Sequence, residues 1–253
     1  MDSRIGVYEY RTESHLLDFR GQLPLPVLGN YLLHAATRHA AGRGFGFDDM
    51  MERRATWVLS KLAVELTDPL QLADPLRILT WVQQVERIFT YRCFEITTLE
   101  GATLGCARSV WAAIDRETRR PVSLSRLGLD DSITARNCPV TFSSPEPAEK
   151  ETEGIPYTVK YSDLDINGHL NSMKYIESIL DLFDLDTFRT RSVVRFEIVY
   201  HAEGRYGMHL LLHKKATAED EYAAAICNEG KPICRAKLRL GRLPHCPPEE
   251  ELP

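Results

Sequence analysis

Tyr161-Ser-Asp-Leu-Asp-Ile-Asn-Gly-His-Leu-Asn-Ser-Met-Lys-Tyr-Ile-Glu-Ser-Ile-Leu180 gathers Asp163, Asp165, Asn167 and His169 into seven residues, with Gly168 directly before the histidine. Asp, Asn and Gly are ordinary turn and cap residues, so without the histidine the stretch would read as a polar cap. An apolar-periodic segment follows, which predicts a helix over 169–183. A carboxylate, a carboxamide and an imidazole therefore meet at a strand-to-helix junction.

The same junction occurs earlier in the chain. Asp18-Phe-Arg-Gly-Gln-Leu23 aligns without a gap on Asp165-Ile-Asn-Gly-His-Leu170, 147 residues downstream, with Asp, Gly and Leu coincident. Around the first copy, residues 6–12 read as a strand and a long apolar helix runs to His39, with Pro24 and Pro26 suited to its first turn. Apolar residues fall nearly all round that helix, which predicts burial. Strands follow at 57–66, 74–82, 89–96 and 105–114, punctuated by turns at Thr67-Asp-Pro and 115–121. Residues 143–154 are charged and Pro-containing, as in a linker or exposed crossover. The order then restarts, with a strand at 156–161, the 169–183 helix, and strands at 192–200, 206–213, 222–227 and 234–240. Self-similarity on this scale decides the fold class, α+β, with one unit built twice.

The duplication separates architecture from chemistry. An Asp-Gly turn serves both copies, so Asp165 and Gly168 are explained by the fold. Arg20 and Gln22 stand where the second copy carries Asn167 and His169, and those two residues need another reason. A second polar contributor is expected from Tyr200-His-Ala-Glu203, just past the 192–200 strand; Glu203 is the candidate and His201 its competitor.

Composition narrows the setting. Hydrophobic content of 43% and charged content of 26% are those of an ordinary globular protein. A net charge of −5 without a long basic run gives no support to nucleic-acid binding. The six cysteines, at 93, 106, 138, 227, 234 and 246, show neither C-x-x-C nor zinc-ligand spacing, so free thiols and no metal are expected. No apolar run reaches 18 residues, and the first residues lack a signal-peptide core, so no membrane association and a cytoplasmic setting are expected.

A strand, a helix wrapped by an antiparallel sheet, and the unit doubled describe a tandem hot-dog fold. Ser162–Glu177 resembles the signature D-x-N-x-H-x-N-N/S-x-x-Y of the acyl-acyl carrier protein thioesterases, plant and bacterial. Residues 25–36, 56–60 and 118–122 resemble stretches of that family's first repeat, and the likeness covers about residues 5–243. It implies an N-terminal hot-dog unit over 1–142 that binds the acyl chain, a linker over 143–154, a catalytic hot-dog unit over 155–243, and a tail at 244–253 that we expect to be disordered. It implies Asp165, Asn167, His169 and Glu203 as catalytic residues, no cofactor, and hydrolysis of fatty acyl-acyl carrier protein. Plant members have a cysteine after the glutamate; this chain has Gly204, so no thiol nucleophile is available there. Met208 is a second departure, where relatives often have Asp.

For chemistry, imidazole suits proton transfer with water near neutrality, and either Asp165 or Glu203 serves as base or as the group that orients it. N–H groups at 168–170 are expected to hold an oxyanion if a helix starts there. Leu28, Leu32 and Trp57 are expected to line the acyl tunnel. The partner is an acidic carrier protein, met by Arg116, Arg119 and Arg120 or by Arg53 and Arg54, and a homodimer is left open. Acyl-CoA hydrolysis, a hot-dog dehydratase and a non-catalytic acyl-thioester sensor are the alternatives.

Overall fold

The computed structural model describes residues 2–67, 75–126, 129 and 132–243. The expected turn near Asp68 and the tail from Pro244 fall outside them. The first strand, β1 (Gly6–Tyr10), leads to α1 (Leu25–Ala41), entered through Pro24 at its N-cap and closed by Gly42. Proline at the helix entrance removes an N–H that would have no partner there. A short α2 (Phe47–Glu52) precedes four strands: β2 (Ala55–Leu66), β3 (Leu76–Val85), β4 (Phe89–Thr98) and β5 (Thr103–Asp115). The second half repeats the plan as β6 (Ile155–Thr158), α3 (Ser172–Leu180), α4 (Leu185–Thr190), β7 (Arg191–Tyr200), β8 (His209–Ala218), β9 (Glu221–Asn228) and β10 (Lys231–Arg242).

All ten strands join one antiparallel sheet in the order β1-β3-β4-β5-β2-β7-β10-β9-β8-β6. One half read outward from the centre therefore reproduces the other: β2-β5-β4-β3-β1 and β7-β10-β9-β8-β6. The seam is the β2–β7 pair, from Lys61 opposite Val199 to Glu65 opposite Arg195, and the last two side chains form an ion pair at 2.6 Å. One core runs under both halves. Leu28 and Leu32 of α1, Ile176 and Ile179 of α3, and the strand residues Phe94, Phe196, Ile198 and Leu238 share a single buried cluster.

Three expectations need correction. Helix α1 is not buried all round: Leu28, Leu32, Ala35 and Ala36 face the sheet, while Asn30, His34, Thr37 and Arg38 face solvent. The second helix is short and begins at Ser172, not 169, because the Asn171 side chain caps it by accepting the Met173 N–H at 2.8 Å. Crossover 143–154 is pinned at intervals. Ser143 donates through its N–H and hydroxyl to buried Glu197 at 2.7 and 2.9 Å, and Ala148 is buried against β9.

Candidate active site

The Asp-Gly turn is built the same way twice. In the second half, Asp165 Oδ1 accepts the N–H groups of Asn167 and His169 at 2.8 and 3.1 Å. The Asp165 N–H donates to His169 O at 2.8 Å, and the Gly168 N–H to Asp165 O at 3.0 Å. In the first half, Asp18 Oδ1 accepts the N–H groups of Arg20 and Gln22 at 2.8 and 3.0 Å, with the matching backbone pair at 2.9 and 3.0 Å. Gly21 and Gly168 have φ of +72° and +76°, a left-handed conformation in which a side chain is strained. Asp165 thus spends Oδ1 on shaping the turn that carries Asn167 and His169.

His169 reaches the carboxylate expected from the sequence: its Nε2 lies 3.3 Å from Glu203 Oε2. The other carboxylate oxygen, Oε1, accepts from the Arg119 guanidinium, which arrives from the turn after β5. Arg119 was expected on a docking surface; the structure places it on the candidate catalytic glutamate. The charged groups near His201 are instead Arg235, Glu149 and Lys61.

The loop holding Glu203 is tied to α3 by one phenol. Tyr175 Oη donates to Ala202 O at 3.2 Å and accepts the Gly204 N–H at 2.8 Å, and burial keeps that hydroxyl far from ionising. The Leu170 N–H donates to Gly204 O at 2.8 Å, and His169 and Arg205 form an antiparallel bridge. Gly204 sits where a side chain would force its neighbours to shift. A Cβ at that position would lie 2.9 Å from Leu170 Cβ. Met208 closes the next turn, its sulfur accepting the Arg205 N–H at 3.0 Å. Asp163 braces the site from behind, buried, its Oδ2 accepting from Tyr157 Oη and the Lys160 N–H at 2.6 and 2.7 Å.

The backbone oxyanion site expected at 168–170 does not exist. The Gly168 and His169 N–H groups are bound by Asp165, and that of Leu170 by Gly204. The free donor at this point is the exposed Asn167 side chain, which has no hydrogen-bond partner among the described residues.

Asn167 and Ile166 stand at the mouth of a cavity of about 800 Å³, counting its open end. Its walls come from the first half: Ala36 and Ala40 of α1, Phe45, Trp57 of β2 and Trp111 of β5. Trp57 was expected there. Leu28 and Leu32 were expected too, but they are sealed in the core, and α1 contributes its wall two turns further on. A second cleft, of about 850 Å³, places Phe19 and Arg20 of the first turn against Leu180, Phe188 and Val193 of the second half. There Arg20 Nη1 donates to Phe188 O and Arg191 O, both at 2.6 Å, and to Ser192 Oγ, which in turn donates to Gln22 Oε1. Each turn thus faces a cleft of the opposite half. In one the turn residues are locked into hydrogen bonds, whereas in the other Asn167 is free.

Comparison with known proteins covers nearly the whole chain. Residues 7–126 match the acyl-ACP thioesterase N-terminal domain and residues 146–239 the C-terminal domain of the same family. A solved acyl-ACP thioesterase from Bacteroides thetaiotaomicron is 38% identical and superposes with a TM-score of 0.89, over 95% of this chain and 99% of that one. This chain belongs to the acyl-ACP thioesterase family. It has that family's fold, a large antiparallel sheet with few helices. The 12:0-ACP thioesterase from Umbellularia californica shares the fold at 18% identity, with a TM-score of 0.85 over 96% of this chain and 99% of that one. A chloroplastic palmitoyl-acyl carrier protein thioesterase from Gossypium hirsutum is 25% identical over 233 residues, 85% of this chain and 55% of the relative. The chain spans about half the length of the curated relatives it matches.

Glu203, expected from its tyrosine-x-x-glutamate context, lies beside His169. Arg119 and Tyr175 were not read as site residues: a turn arginine has no sequence mark of its own, and Tyr175, the closing tyrosine of the D-x-N-x-H-x-N-N/S-x-x-Y stretch, was given no role. No described helix is long and apolar enough to cross a membrane.

Proposed function

We propose that this chain hydrolyses the thioester of fatty acyl-acyl carrier protein to free fatty acid and carrier protein, ending chain elongation. The observation that carries the reading is the His169–Glu203 pair, 3.3 Å apart, with His169 on the same turn as the Asn167 that lines a largely apolar cavity. The architecture is two tandem hot-dog units. Residues 1–142 hold the acyl chain, 143–154 connect, and 155–243 carry Asp165, Asn167, His169 and Glu203.

In this mechanism Glu203, anchored by Arg119, fixes the His169 ring. His169 takes a proton from water as the water oxygen bonds to the thioester carbon. The Asn167 amide donates to the carbonyl oxygen as charge builds on it. The C–S bond then breaks, and the proton held by His169 passes to the departing thiolate, which is a good leaving group and needs no strong acid. Asp165 acts through the turn it shapes. No covalent intermediate is needed, and position 204, a glycine, offers no nucleophile.

The carrier protein, being acidic, would be met by a basic edge beside Glu203. Arg53, Arg54, Arg116 and Arg120 are exposed, and the Arg116 N–H donates to Arg54 O, joining the two turns. Five described cysteines are free, which fits a reducing cytoplasm. Steady-state kinetics on one acyl chain carried by carrier protein and by coenzyme A tests the reading. Higher kcat/KM on the carrier protein is expected; a preference for coenzyme A, or hydrolysis of neither, would contradict it.

A further inference from the structure

The cavity lining carries a charge that the reaction does not use. Arg92, on β4, lines the same cavity as the exposed Asn167 and is itself only 4% exposed. Its Nη1 donates to His39 Nδ1 at 3.0 Å and to Thr80 Oγ1 at 3.2 Å. Both partners are neutral, because burial, with the nearby Arg92 charge adding to it, lowers the His39 pKa to about 4. The other nearby cation aggravates the imbalance, with Arg43 Nε 3.2 Å from His39 Nε2. Burial lowers Arg92 itself only to about 10, so it is charged at neutral pH. Among the described residues no carboxylate pairs with it, and its other N–H groups have no acceptor.

A buried cation without a counter-charge is among the least favourable arrangements in a protein interior. A hydrocarbon chain ending in a methyl group would worsen it, excluding water and leaving the donors against CH3. An oxygen at the chain end would satisfy them, and a site built to hydrogen-bond a substrate oxygen rejects the analogue that lacks it. The walls, Ala36, Ala40, Trp57 and Trp111, suit the methylenes between.

We propose that this cavity takes an acyl chain whose far end carries an oxygen acceptor, a carboxylate before a hydroxyl, with Arg92 as its partner. The inference rests on the thioesterase reading above and names its substrate class. Its test is kcat/KM on carrier protein loaded with chains of one length that end in methyl, hydroxyl or carboxylate, using wild type, Arg92→Met and Arg92→Lys. Wild type should favour the carboxylate-ended chain over the methyl-ended one by at least about tenfold, with the hydroxyl between. Arg92→Lys should keep that order and Arg92→Met should reverse it. Comparing chains within each variant keeps a general loss of folding from mimicking the result. A wild type that prefers the methyl-ended chain, or a ratio unchanged in Arg92→Met, would overturn the inference while leaving the thioesterase intact. No hydrolysis of any chain by wild type would overturn both.

Discussion

Asp18 and Asp165 accept the same pair of backbone N–H groups around the same left-handed glycine, and Asp18 alone also holds the Arg20 guanidinium through Oδ2. Replacing either with alanine frees two N–H groups at a turn, a loss of about 1–2 kcal/mol on the scale of helix-cap removal. Denaturant melts should show a larger loss in Asp18→Ala, which also breaks the Arg20 ion pair, than in Asp165→Ala, while only Asp165→Ala lowers kcat. Equal loss of turnover in both would mean that the second turn has no chemistry of its own. His39 makes a second prediction. Its folded pKa, about 4, lies below the ordinary value of 6.5, so on acidification the unfolded chain takes up the proton first. Stability is therefore retained above about pH 6.5 and lost as pH falls toward 4, by up to about 3 kcal/mol. Urea midpoints between pH 7.5 and 4.5 should fall less steeply in His39→Gln than in wild type; parallel slopes would contradict the assignment.

At the scale of elements, the strands and their order along the chain were legible because β-branched runs alternate between clear turn signals, whereas the sheet order, with β2 beside β5, was not. Helix α3 was misplaced by three residues at its start. Gly168-His169-Leu170 has helical spacing, yet Asp165 and Gly204 hold those residues in a turn, and Asn171 offers a better cap. The six-residue α2 and α4 were both missed, being too short for periodicity to show. The His169–Glu203 pair could be anticipated from the duplication and the family resemblance. Arg119 could not, because it meets Glu203 from 84 residues away and an exposed turn arginine is usually just solvated. Gly204 ties the elements together. A Gly204→Cys change restores the plant residue but forces its Cβ against Leu170. We expect a loss of about 1–3 kcal/mol in thermal or chemical melts and reduced turnover, since the Glu203 loop must shift. Unchanged stability would show that the loop has slack.

Across the whole molecule, two similar halves share one sheet and one core, yet the two related clefts differ in how their turn side chains are bound. In the cleft facing the first turn, Arg20 is bound to carbonyls of the second half; in the other, Asn167 is unpartnered and His169 meets Glu203. Arg119 comes from the first half and Glu203 from the second, so the site is complete only when both halves are in place. The central claim is that His169 and Glu203 act as one unit on water. It is tested most directly by kcat/KM for hydrolysis of a fatty acyl-carrier protein by wild type, His169→Ala, Glu203→Gln and the double variant. Each single change should lower the rate at least about 100-fold, and the double variant should fall little further than the worse single one. Turnover unchanged in both single variants, or losses that multiply in the double, would contradict it.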